Sequence, residues 1–204
     1  LQPKGSFMKK IFIAAAMIAI TVTGAMAQDA VLDGKAAKKM MFSHRGTEFI
    51  VVPQDFMTET DVATLNLMAG MPEFKSVLYY GAIAAAPEHG LAHKATVASA
   101  NHHTTEAAAA AAIKECNGVR SGGPKCVVVA HITPKKYVER ALQLSTSATV
   151  AFKKTYLRGG GSKALAISPS TGGYAVAKGD GAAVAALAAC TKDGASDCRI
   201  VVQD

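Results

Sequence analysis

At 204 residues, half of them hydrophobic but only 6% aromatic and none tryptophan, the chain is long enough for a core that it must pack largely with small side chains. Its formal charge of +7 falls to +4 without residues 1–27, which hold Lys4, Lys9 and Lys10 and no acid. Residues 80–204 carry fourteen basic and eight acidic side chains against five and seven in residues 28–79, a bias that suits an acidic partner or cell-envelope surface but falls far short of the dense patch of a nucleic-acid binder.

In chain order, Leu1 to Phe7 read as an upstream extension before Met8. Lys9 and Lys10, the apolar stretch Ile11 to Val22 and the small-x-small site Ala25-Met26-Ala27 then predict an export signal cleaved before Gln28. The apolar stretch is shorter than the roughly 20 residues of a spanning helix, so no transmembrane span is expected after cleavage. Residues 28–40 show little apolar periodicity and predict a loose arm. Phe49 to Val52, stopped by Pro53, predicts an edge strand. Thr58 or Thr60 is placed to cap a helix with Val62, Leu65 and Met68 on one face, ended by Gly70 and Pro72.

The rest of the chain states one pattern twice. Val77 to Ala86 and Leu91 to Ser99 predict two strands joined at Pro87-Glu88-His89-Gly90; Thr104 or Thr105 caps a helix running through six alanines, Ala107 to Ala112, to Cys116 and Gly118; Cys126 to Ile132 is a buried-type strand. The second copy is more compact: strands Ala164–Ser168 and Tyr174–Lys178, a cap at Asp180, a helix Ala182–Cys190, and a strand Cys198–Val202. Between them, Pro134 at a first helical position and the spacing of Tyr137, Ala141 and Leu144 predict an inserted helix, with a continuation through Phe152 to Leu157 that Ser145-Thr146-Ser147 weakens and Gly159-Gly160-Gly161 ends. The expected organisation is a signal region 1–27, an N-terminal arm and extension 28–76, a first repeat 77–132, an insertion 133–162 and a second repeat 163–204. The class is α+β, with two tandem ββαβ-like repeats forming an antiparallel sheet and the Ala-rich helices packed on it.

Four cysteines in an exported chain point to disulfides, for which three connectivities exist. The favoured one joins Cys116 to Cys126 and Cys190 to Cys198, because each pair links a helix end to the next strand across a short Gly-containing loop. Each closure is expected to stabilise by about 2 to 3 kcal/mol. Neither pair has the Cys-x-x-Cys spacing of a redox centre.

Candidate chemistry is sparse. His89, His93, His102 and His103 fall near one end of the first repeat and would suit a metal site if three converged, yet no helix-borne ligand motif is present and the second repeat has no histidine. No serine sits in Gly-x-Ser-x-Gly, and Glu88, Glu106, Glu115 and Glu139 read as surface acids. Gly159 to Lys163 lacks the phosphate-loop register. Lys135, Lys136, Arg140, Lys153, Lys154 and Arg158 crowd the insertion against Glu139 alone and form either a solvated helix face or a docking surface for an anionic partner.

Tyr80-Gly81-Ala82-Ile83-Ala84, Cys116, Cys126-Val127-Val128-Val129, Ala186 to Cys190 and Cys198-Arg199-Ile200-Val201 are similar to a family of secreted bacterial proteins of unknown function. There a Gly-Ala-Ile-Ala strand, an Ala-rich helix ending in cysteine and a Cys-x-Val-Val strand recur in tandem. The likeness covers residues 80–132 and 163–204. The chain departs from it in the inserted segment and in lacking a central cysteine near the junction. The resemblance implies a small exported disulfide-bonded domain with no assigned catalytic site. The expectation is therefore a periplasmic or secreted, non-catalytic module that binds a protein or envelope component and needs no cofactor. The alternative is an envelope hydrolase or metal-dependent enzyme using the histidine-bearing loops.

Overall fold

The computed structural model describes residues 30–204, so the expected export signal lies outside the described residues. Among them, the elements in chain order are α1 (Gly34–Met40), β1 (Thr47–Val51), α2 (Glu59–Gly70), α3 (Pro72–Lys75), β2 (Gly81–Ala85), β3 (Val97–Ser99), α4 (Thr105–Val119), β4 (Val127–Pro134), α5 (Thr146–Ala151), β5 (Lys163–Ile167), β6 (Tyr174–Lys178), α6 (Ala182–Cys190) and β7 (Arg199–Gln203). The α+β class stands, and the strands divide into two antiparallel sheets, ordered β1-β4-β2-β3 and β6-β5-β7. No helix among the described residues is long and apolar enough to cross a membrane.

Each sheet is built on a strand-strand-helix-strand unit in which the first strand lies between the other two. The register slips at matching places. Ile83 pairs with Ala130 and Ala84 with Val128, while Leu165 pairs with Val202 and Ala166 with Ile200. Val129 and Val201 are therefore the extra residues of two equivalent bulges. Facing each sheet is an Ala-rich helix whose buried stripe repeats every four residues and ends in cysteine: Ala108, Ala112 and Cys116 on α4, and Ala182, Ala186 and Cys190 on α6. Alanine brings these helices close to the strands because nothing longer than a methyl intervenes. The disulfides are Cys116–Cys126 and Cys190–Cys198, each with Cα atoms 6.1 Å apart, so each helix end is pinned to the start of the strand that follows it.

Strand alternation sends the remaining residues to the opposite face, where segments that the two units do not share cover them. On the first sheet, Ile83, Ala85 and Ala130 pack with Leu65 and Met68 of α2 and with Phe74 of α3. On the second, Leu165, Ile167 and Val202 pack with Ala148, Phe152 and Tyr156, which lie on α5 and the π-helical turn, Phe152–Tyr156, that extends it. β1 is the edge strand expected from Phe49 to Val52, and the side chain of Thr58 caps α2.

Several expectations change. The arm is not loose: Asp33 caps α1, Ala37 is buried in the core of the second sheet, and Leu32 forms a parallel bridge with Val202. Its binding rests on single buried residues, which leave no periodic trace. The first hairpin is shorter than Val77–Ala86 and Leu91–Ser99, with turns occupying most of the chain between Ala85 and Val97. Pro134 closes β4 instead of opening a helix; Lys136 takes a φ of +57°, and residues 137–145 run without helix. The inserted helix starts later, at Ser145, whose side chain accepts the Ala148 N–H at 3.2 Å. The Ser-Thr-Ser run that argued against a helix is therefore its cap. At α6 the capping position belongs to Gly181, with φ of +73°, and not to Asp180.

Candidate functional site at the inserted segment

The site is built where the loop before α4, the inserted segment and the Thr171–Gly173 turn meet. His103 stands at the centre, 1% exposed. Its Nδ1 lies 3.0 Å from the Ser145 backbone N–H and its Nε2 lies 3.0 Å from the Gly173 carbonyl oxygen. An N–H can only donate and a carbonyl only accept, so the ring is neutral with its proton on Nε2. Burial is the main cause that pushes its pKa down to about 4, opposed by the Gly173 carbonyl and by Asp197 and reinforced by His102 and Arg199. Asn101, in the left-handed region at φ of +66°, accepts the Ser147 N–H on Oδ1 at 3.1 Å. Tyr79 and Thr146 exchange backbone and hydroxyl hydrogen bonds of 2.9 to 3.2 Å. The insertion is thus tied to the first unit before it packs on the second.

Aromatic rings continue the connection. Tyr79 lies 5.4 Å from Tyr80, Tyr80 lies 5.5 Å from Tyr137, and Tyr137 lies 5.9 Å from Phe42, all between ring centres. Arg140 closes the series with its guanidinium 3.7 Å from the centre of the Phe42 ring and one N–H donating to the Met40 carbonyl at 2.8 Å. Lys153 Nζ donates to the Phe42 carbonyl at 2.8 Å, and its pKa is lowered by burial.

Of the predicted basic residues, Lys135, Lys136, Lys154 and Arg158 are exposed, whereas Arg140 and Lys153 are half-buried and donate to the Met40 and Phe42 carbonyls. His44 is held below its ordinary pKa by burial first, then by the charges of Lys153, Arg45 and Lys154, which places these four together. Lys135 lies over Gly46, where an added Cβ would come within 2.7 Å of its side chain. Lys136 is exposed while its backbone N–H donates to Glu48 at 3.1 Å. Lys154 and Arg158 are exposed along the helical segment, with the Arg158 carbonyl accepting from Lys178 at 2.6 Å. No sequence pattern tied Arg45 and His44 to the insertion, yet His44 feels the charges of Lys153 and Lys154. None of these cations forms an ion pair with a carboxylate among the described residues; Lys163 pairs with Asp204 at 3.3 Å.

The four candidate histidines do not converge. His89 and His93 stack with ring centres 4.3 Å apart; His93 Nδ1 accepts the Ala95 N–H at 3.1 Å, and His89 Nε2 lies 3.4 Å from the Ser121 hydroxyl. His102 Nε2 lies 2.8 Å from the Ser99 hydroxyl, and burial lowers its pKa. Among the described residues, no three His, Cys, Asp or Glu side chains are grouped to hold a metal ion. All four cysteines are in disulfides.

His103 also lines a cleft of about 360 Å³, together with Leu32, Leu142, Ile167, Val201 and the charged Glu139, Arg140 and Arg199. No protein-family model, curated protein or solved structure matches the chain.

Proposed function

We propose that the protein is an exported, non-catalytic binding module of the bacterial cell envelope that docks an anionic envelope component on the face formed by Arg45, Lys135, Lys136, Lys153, Lys154 and Arg158. The observation that carries this reading is the absence of any carboxylate paired with these cations among the described residues, in a segment whose opposite side is core. Exposed like charges held together repel one another and are relieved by a partner of opposite sign, so binding should be strong at low salt and weaken with ionic strength. Two disulfides support an oxidising compartment. The reading as a hydrolase or metal-dependent enzyme has no comparable support, since His102 and His103 hold the loop before α4 in place and His89 and His93 lie apart in the preceding turn.

The test is sedimentation of the intact protein with isolated envelope material. Binding is expected to fall at least tenfold between 50 and 300 mM salt and to fall similarly in the Lys135→Glu, Lys154→Glu, Arg158→Glu triple variant. These side chains are at the surface, so the variant should fold. Binding indifferent to both salt and charge reversal would remove the basic face from the function.

A further inference from the structure

β6 ends the second sheet, with β5 as its strand partner, whereas the far edge at β7 is closed by Leu32, which donates to Val201 at 3.0 Å and accepts from Gln203 at 2.9 Å. The Ser168 N–H donates to the Gly173 carbonyl at 2.8 Å and the Gly179 N–H to the Ser162 carbonyl at 2.9 Å, so bonded pairs recur at every second residue and Ala175 and Ala177 bond to β5. The backbone N–H and C=O groups of Tyr174, Val176 and Lys178 therefore point away from the sheet, and they have no hydrogen-bond partner among the described residues. Beside this open edge lies α6, which packs across β5 and β6 with Ala175 and Ala177 in the same core cluster as Ala182 and Ala186. All nine residues of α6 are apolar, yet Val184, Ala185 and Ala188 are exposed, Val184 at 73%. A helix apolar on every side is ordinarily covered on every side. The equivalent α4 instead presents Glu106, Lys114 and Glu115 to solvent.

We infer that the protein pairs with a second copy of itself through β6 and α6, about a two-fold axis at Val176. In that antiparallel register Val176 meets its own counterpart and Tyr174 meets Lys178 of the second copy, so the outward donors and acceptors of the two strands satisfy one another. Like charges do not meet there, and the Lys178 amine is drawn aside to the Arg158 carbonyl. The same axis keeps both α6 helices on one face of the joined sheet. With strands about 4.8 Å apart and α6 over β5 and β6, the two helices stand about 10 Å apart, the distance at which helices pack. They run antiparallel, so Asp180 before one helix comes beside Lys192 after the other; both residues are exposed, and neither has an ion pair among the described residues. One operation thus covers the open edge and the apolar face together, and because the surface is self-complementary the assembly closes as a dimer. This inference does not rest on the basic face, and either stands if the other fails.

The test is sedimentation velocity of the intact protein across a concentration series. At about 100 μM the expected mass is twice that of one chain, falling toward that of one chain on dilution. The Val184→Glu, Ala188→Glu double variant, at positions exposed in the single chain, should give a single-chain mass throughout with an unchanged circular dichroism spectrum. Tyr174→Pro removes an N–H that points away from β5, so it should break the pair and leave the sheet intact. In the unmodified protein, amide exchange at Tyr174, Val176 and Lys178 should slow at least tenfold from dilute to concentrated samples, a readout that does not depend on any variant folding. A single-chain mass at about 100 μM would overturn the inference and turn attention to an extended segment of another protein as the edge's partner. A dimer that survives the double variant, or one in which those three amides still exchange freely, would overturn it equally.

Discussion

His103 shows how a single side chain sets the conditions under which the structure persists. The folded protein holds it neutral with a pKa of about 4, whereas an unfolded chain protonates it near 6.5. Between these values the unfolded state binds the additional proton, so stability falls as pH drops from about 6.5 and levels off below about 4. The span corresponds to about 3 kcal/mol for this residue. His102 and His131, also depressed by burial, act in the same direction. Asp197 and Asp204, whose pKa values are lowered, are ionised above their unfolded value and add a further loss at lower pH. Urea midpoints measured from pH 7 to pH 4 should decline, and His103→Gln should both lower the midpoint at pH 7 and flatten that decline. An unchanged slope in the variant would show that the acid sensitivity lies elsewhere. None of this was legible in the sequence, where His102 and His103 look like loop ligands; the partners that fix their role, Ser145 and Gly173, are distant in the chain and are not of a type that signals a site.

At the scale of elements, legibility followed whether a segment's apolar residues were periodic or single. β6 and α6 lie at the expected residues because their alternation and alanine run are continuous. The cysteine pairing was likewise readable, since each helix end faces the strand that follows it across a short loop. The insertion was misread in register: Tyr137, Ala141 and Leu144 have helical spacing, yet Tyr137 serves the aromatic series and Leu144 the core of the second sheet. The crowding of basic residues in the insertion is plain in the sequence, but the approach of His44 to Lys153 and Lys154 depends on the loop after α1. What the insertion contributes first is burial. Phe152 and Tyr156, each 0% exposed, are stacked with ring centres 5.2 Å apart under the second sheet. Phe152→Ala should therefore cost about 3 to 5 kcal/mol in denaturant unfolding. A cost below 1 kcal/mol would mean that the insertion is dispensable to the fold.

For the whole molecule, the two sheets are separate, and the loops of the two units approach closely at Gly172. Its φ of +78° disfavours a side chain, and an added Cβ would lie 2.5 Å from the Asn101 carbonyl oxygen. Gly172→Ala should destabilise by about 2 kcal/mol or more and separate unfolding into two transitions by near-ultraviolet circular dichroism and hydrogen exchange, while both disulfides form normally. A single transition with an unchanged midpoint would show that the loops do not couple the units.

The opposite-face coverings have a further consequence for a chain synthesised from its N-terminus. α2 and α3 precede every strand of the first sheet except β1, and α5 with its π-helical turn precedes the second sheet. The oily faces of β2, β4 and the second sheet therefore emerge after the segments that shield them, and those segments are already waiting when the strands arrive. A rearranged gene that placed 133–162 after 163–204 would keep the same side chains in the finished protein yet leave Leu165, Ile167 and Val201 bare during synthesis, when neighbouring chains are the nearest alternative cover.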